Sequence, residues 1–253
     1  MQGLRDALKQ SRDHGVAIGH FNVSDWVLLK AVLEAAQELR VPVVVGASEG
    51  ERTFFGVRQI AAVVKSWREE CDCPIFLNAD HTHSLPNAIE AAKAGFDAIV
   101  YDLSALPFEQ NVRQTKEAVE ALKAINPAIL VEGEIGDIGT GSEIHEKAPD
   151  LSAGLTSPAE AKQFVEETGV DILAPAVGNM TACSRAWCRD KRGSGWTFGE
   201  SPRSRMWSTY RSHCMAAREP TTTICGTQSL PASISSTSTP NCGSLGDVAW
   251  KRA

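Results

Sequence analysis

Ile75-Phe76-Leu77-Asn78-Ala79-Asp80-His81-Thr82-His83, then Pro86–Ala94, then Gly95-Phe96-Asp97-Ala98-Ile99-Val100-Tyr101-Asp102-Leu103-Ser104, is the stretch that decides the fold. A short apolar run ends in polar residues, an amphipathic segment follows, and a second apolar run ends the same way. Short runs with few polar interruptions suit parallel strands buried on both faces. The segment between them suits a helix laid against the outside. The unit is strand, helix, parallel strand.

The same unit recurs in both directions. Upstream lie the apolar runs Val16–Phe21 and Val41–Ala47, with helical patterns over Asp25–Leu39 and Val57–Trp67. Downstream lie the runs Ile129–Ile135 and Ile172–Val177, with helical patterns over Phe108–Ile125 and Pro158–Thr168. In Asp25–Leu39, Val27, Leu28, Val32, Leu33 and Ala36 share one stripe. Ser84 and Ser157 are placed as N-caps, each with Pro close behind. Six such units predict an α/β fold, either a (β/α)8 TIM barrel or a doubly wound sheet. No Gly-rich phosphate loop follows the first strand, which weighs against the dinucleotide-binding doubly wound fold. The expectation is a TIM barrel with about six of its units recognisable.

The 253-residue chain is 43% hydrophobic and 22% charged, as soluble globular proteins are. It has no apolar stretch of the roughly 18 residues that span a bilayer. No basic start followed by an apolar run is present, so a cytoplasmic, reducing location is expected. A net charge of -6 gives no reason to expect nucleic acid as a partner. The average hides a break. Residues 1–180 carry 15 Lys+Arg against 27 Asp+Glu, whereas residues 181–253 carry 10 against 4. Five of the seven Cys and four of the six Trp also follow residue 180. The chain therefore divides into a barrel-like part, 1–180, and a basic Ser/Thr/Arg/Cys-rich tail, 181–253.

Reactive residues of β/α barrels gather at the C-terminal ends of the strands. Those ends carry Asn22, Ser48-Glu49-Gly50, Asp80-His81, Asp102, Glu132-Gly133-Glu134 and Gly178-Asn179. A His at a strand end can ligate zinc, and a neighbouring carboxylate can do acid–base work. The plain alternative is a hydrogen-bonded His–Asp pair on a barrel rim. Asp102, Glu132 and Glu134 can line a metal or form rim salt bridges. His83 reads as structural, His145 as solvated, and the Cys71/Cys73 pair as ordinary thiols. Schiff-base chemistry would need a Lys at a strand end. Lys65, Lys93, Lys116 and Lys123 fall on helical segments instead.

Phe21-Asn22-Val23, a Ser48-Glu49-Gly50 turn, Ala79-Asp80-His81, Gly95–Ser104, Asn111 with Thr115-Lys116, Val131–Gly136 and Thr168–Ala174 stand in a characteristic order and spacing. Over residues 1–180 the chain resembles class II, zinc-dependent fructose-bisphosphate and tagatose-bisphosphate aldolases. The resemblance implies reversible cleavage of a ketose 1,6-bisphosphate to dihydroxyacetone phosphate and glyceraldehyde 3-phosphate. It implies Zn2+, with room for a second divalent or a monovalent cation. It implies His81 as a zinc ligand and Asp102 and Glu134 near a second metal position. Asp80 would exchange a proton with the hydroxyl formed from the aldehyde. Glu143, in the polar loop Asp137–Asp150, would remove the C–H proton. Asn22, Ser48 and Gly178 would contact substrate. A homodimer or homotetramer is implied for an intact chain. A catalytically silent binding or regulatory barrel and another metal-dependent barrel lyase are the alternatives.

The resemblance stops at Met180. The family continues with a His-Gly pair, and later with a His-Gly-Gly-Ser-Gly strand end; these supply two further zinc ligands. Here Thr181-Ala182 follows, and His213 is the only later His. A one-base frameshift explains the break. Met180–Ser184 written as ATG-ACG-GCA-TGC-TC, with one C restored after ATG, reads Met-His-Gly-Met-Leu. In that shifted frame His213–Pro220 permits Leu-His-Gly-Gly-Ser-Gly-Thr. The expectation is that the last two barrel units are lost to this shift and that the chain as written is unstable and inactive.

Overall fold

A computed structural model describes residues 3–71, 73–136 and 155–177, and the backbone of Thr223–Ile224. Its elements are α1 (Leu4–His14), β1 (Gly19–Asn22), α2 (Trp26–Leu39), β2 (Val43–Ala47), α3 (Glu49–Phe55), α4 (Val57–Glu70) and β3 (Ile75–Thr82). They continue with α5 (Leu85–Ala94), β4 (Ala98–Tyr101), α6 (Phe108–Ile125), β5 (Leu130–Ile135), α7 (Pro158–Thr168), β6 (Ile172–Pro175) and β7 (Thr223–Ile224). All strands pair in parallel in the order β1 to β7. Strand order therefore follows chain order, as in a β/α barrel and unlike a doubly wound sheet. Among the described residues the sheet is open, with β1 and β7 at its edges.

Helix starts follow their sequence signals. The Asp25 carboxylate accepts the Leu28 N–H and the Ser84 hydroxyl accepts the Asn87 N–H. Ser157 forms a capping box with Glu160. Gly95 and Gly169, both left-handed, end α5 and α7. After each of them the chain repeats one pattern: an apolar residue, an Asp, then a strand.

Three expectations needed correction. Ser48-Glu49-Gly50 is not a free turn: Ser48 is the N-cap of α3, in a capping box with Glu51. Two helices, α1 and α3, and the two-residue β7 were not foreseen. The first strand begins at Gly19 rather than Val16, because the Val16 N–H bonds back to the Ser11 carbonyl and closes α1.

The core has two parts. The outer faces of the strands pack under the helices through Val45, Leu77, Ile99, Val131 and Leu173. On the other face, Val44, Phe76, Ala98, Leu130 and Ile172 form a second cluster with Leu4, Ala7 and Leu8 of α1. Alternation along each strand sends neighbours to opposite faces. The inner face is thus apolar near the strand starts, where α1 covers it. Two residues or more further along it becomes polar. That change places the chemistry at the C-terminal ends.

Candidate active site

Strands β3, β4 and β5 bring Asp80, His81, Asp102, Glu132 and Glu134 to one rim. All four carboxylates are buried. The pairing of β3 with β4 shifts register between Ala79 and Thr82. His81 sits inside that irregularity with φ of +40°, a left-handed conformation that costs a non-glycine residue about 1–3 kcal/mol. Bulges re-aim side chains beside active sites. Here the imidazole turns toward β4 and β5: its Nδ1 lies 2.9 Å from Asp102 Oδ2 and 3.8 Å from Glu134 Oε2. Its Nε2 lies 3.9 Å from Asp80 Oδ2.

The charges are unbalanced. The hydrogen bond to Asp102 raises His81 to about 9, against the pull of burial. Burial would push Asp102 up, but hydrogen bonds from His81 and from the Ser104 hydroxyl and N–H hold it at about 2. Glu134 is pushed up to about 8 by burial and by the Asp102 charge. Glu132 is pushed up to about 8 by burial and by the Asp80 charge. Among the described residues, the basic side chains within ion-pair distance of these carboxylates are His81 and, at 3.9 Å from Asp102 Oδ2, the more exposed His83.

His81, Asp102 and Glu134 each offer a donor atom, and the three lie within 4.8 Å of one another. One imidazole and two carboxylates suit zinc or another borderline divalent cation. Carboxylates that burial drives to hold protons also suit a cation that would take the place of those protons. On both counts the residues fit a divalent metal.

The predicted site residues fall into three groups. Asp80, His81, Asp102, Glu134 and Asn22 are brought together; the Asn22 amide donates to Asp80 Oδ2 at 2.7 Å. Ser48 stands at the β2 end, its hydroxyl accepting the Glu51 N–H. Glu143 and Gly178 lie outside the described residues. His83 lies at the edge of the cluster, its Nδ1 3.0 Å from the Asp102 carbonyl and 3.9 Å from Asp102 Oδ2. Cys71 and Cys73 are buried, and their thiols donate hydrogen bonds to backbone carbonyls. Sequence reasoning missed Ser104, although a Ser two residues after a strand-end Asp is a common local acceptor–donor pair. It also missed His20, whose imidazole lies against Gly46, where any side chain would collide with it and with Asn22. Burial lowers the pKa of His20.

The architecture and the rim define a β/α-barrel protein whose imidazole–carboxylate cluster fits a divalent metal. The family model "Fructose-bisphosphate aldolase class-II" matches residues 2–186, and the chain belongs to that family. A fructose-bisphosphate aldolase from Thermus caldophilus is 34% identical over 198 residues, 78% of this chain and 61% of that protein. One from Staphylococcus aureus (strain Mu50 / ATCC 700699) is 34% identical over 180 residues, 70% of this chain and 61% of that protein. The chain thus spans 61% of the length of these curated relatives. Among solved structures, the YdjI aldolase from Escherichia coli K12 has a TM-score of 0.65 at 24% identity, covering 88% of this chain and 72% of that one. The fructose-bisphosphate aldolase from Campylobacter jejuni has a TM-score of 0.58 at 23% identity, covering 68% and 56%. These two likenesses concern the fold alone. No helix among the described residues is long and apolar enough to cross a membrane.

Proposed function

We propose that this chain descends from a metal-dependent ketose-bisphosphate aldolase and retains the acid–base half of its site. The observation that carries the reading is the His81–Asp102–Glu134 cluster at the ends of three successive strands, in a chain of this family. His81, Asp102 and Glu134 would hold the cation, zinc being the ion the resemblance implies. When bound, that cation supplies Lewis-acid polarisation of a substrate carbonyl. Asp80 would take and return the proton of the substrate hydroxyl at the cleaved bond, with the Asn22 amide fixing the carboxylate. Glu143 is the proposed base for the C–H proton, and Ser48 and Gly178 the proposed substrate contacts. A phosphorylated ketose, fructose or tagatose 1,6-bisphosphate, is the proposed substrate. A cytoplasmic location and a homodimer or homotetramer of the intact form belong to the same reading.

The tail from residue 181 is proposed to be read out of frame, which removes two barrel units and two zinc ligands. Catalytic zinc sites use three protein ligands with an open position. Of the three zinc histidines the resemblance implies, the chain as written keeps His81 alone; the His81–Asp102–Glu134 cluster is expected to hold a cation without turnover. The test is to assay the purified chain, and a version with one base restored after the Met180 codon, on both bisphosphates with and without EDTA. EDTA-sensitive cleavage by the restored version alone is the expected result. Such cleavage by the chain as written would overturn the frameshift reading. Loss of cleavage in both versions would overturn the aldolase reading.

A further inference from the structure

Arg52, on α3, is 3% exposed, yet no carboxylate accepts a hydrogen bond from it among the described residues. Its guanidinium spends its donors on the ends of two strands instead. Nη1 donates to the Ala47 carbonyl, the last residue of β2, and to the Asp80 carbonyl at 3.0 Å. Nη2 donates to Thr82 Oγ1 at 2.9 Å. Thr82 Oγ1 in turn donates to the Ala79 carbonyl at 3.1 Å, and the Thr82 carbonyl accepts the Asp102 N–H at 3.0 Å. The partners of Arg52 therefore flank His81 on both sides, at the point where β3 leaves register and His81 takes φ of +40°.

A strained residue persists where its surroundings over-determine it. A planar fork with fixed donor directions can hold three acceptors at once, which an ammonium cannot do in the same way. The Ser48–Glu51 capping box fixes the start of α3, one turn before Arg52, so the fork is itself anchored. Burying this cation lowers its pKa. Among the described residues the offset comes from longer-range attraction to Glu49 and Asp80 rather than a direct ion pair, and the hydrogen bonds go largely to the backbone it holds.

We propose that Arg52 is a positioning residue for the metal cluster: it clamps Asp80 and Thr82 to the end of β2 and so holds the His81 imidazole against Asp102 and Glu134. The proposal rests on His81 being a metal ligand. It goes beyond that reading by giving the site a support outside its three donors. Partners that orient a metal ligand typically change affinity by about 10- to 100-fold when removed.

The test uses the full chain and four variants: Arg52→Met, Arg52→Lys, Thr82→Val and Arg68→Met. Arg68 is a control of similar chemistry at the opposite rim, where it pairs with Asp97. The first readout needs no metal: the Nδ1–H resonance of His81 in 15N-labelled protein, assigned through His81→Ala. The second is Co2+ affinity, from its visible absorption bands. Arg52→Met should lose or shift the resonance and weaken Co2+ by about tenfold or more. Arg52→Lys and Thr82→Val should fall between it and the parent chain. Arg68→Met should keep both readouts, although it also loses a half-buried ion pair. If Arg52→Met matches Arg68→Met in both, the clamp is refuted. Should Arg52→Met not fold, Thr82→Val is judged by the same criterion. A parent chain that takes up no Co2+ defeats the metal reading, and the resonance still decides the clamp.

Discussion

At the N-terminal ends of the strands, Asp97 and Asp171 each precede a strand and are answered by cations. Asp97 accepts the Leu77 N–H at 2.7 Å and pairs with Arg68. Asp171 accepts the Val131 N–H at 2.9 Å and pairs with Lys123 at 2.7 Å and with Arg5. At the C-terminal ends, Asp80, Asp102, Glu132 and Glu134 gather round His81, with His83 at the margin of Asp102. The N-terminal carboxylates are half-buried and each has a basic partner; the C-terminal four are buried and outnumber theirs. The difference separates carboxylates that hold the sheet together from carboxylates held ready for a ligand.

The sharpest way to break the comparison is to remove one carboxylate from each rim. Asp171→Ala leaves the Val131 N–H unsatisfied and removes one partner each of Lys123 and Arg5, and should cost about 1–3 kcal/mol of stability; urea unfolding checks it. The next effect concerns affinity. Asp102→Asn should weaken zinc or cobalt binding by about 10- to 100-fold while disturbing metal-free folding less than Asp171→Ala, as calorimetric titration would show.

The pH response sharpens the contrast further. Glu132 and Glu134 sit at about 8 in the fold, against 4.5 for a free glutamate. Between those values the folded state holds more protons, so stability falls as pH rises. The contribution of His81 is full below 6.5 and is lost as pH rises through about 9. Asp102 acts oppositely, contributing above 3.8 and losing its contribution as pH falls through about 2. The metal-free melting temperature should therefore decline from about pH 5 to pH 9. Saturating zinc should flatten the decline, and its uptake at pH 7 should release protons. The smallest effect is Glu132→Gln, which should raise metal-free stability at pH 8 by about 1 kcal/mol. Destabilisation there would place Glu132 with the structural carboxylates.

Most of the fold was legible because buried parallel strands read as plain apolar runs. The helices at Phe108–Ile125 and Pro158–Thr168 match their sequence patterns to the residue. Helix α1 was missed because its buried apolar residues, Leu4, Ala7 and Leu8, are spaced among many polar ones. Helix α3 was missed because Gly50 suggested a turn, although Ser48 and Glu51 carried the capping signal. At the site, Asp80, His81, Asp102 and Glu134 were readable as strand ends. The irregularity that turns His81 was not, since register depends on the neighbouring strand. The roles of Ser104 and Arg52 depend on contacts that no local pattern encodes.

The pairing of Arg5 with Asp171 spans 166 positions in the chain. A ribosome adding about 5–20 residues per second would make the second partner roughly 10–30 seconds after the first. During that interval α1 can begin to cover Val44 and Phe76, but its guanidinium has no Asp171 to meet. The floor of the barrel is thus started first and fastened late, and the first helix spends much of synthesis waiting for its anchor.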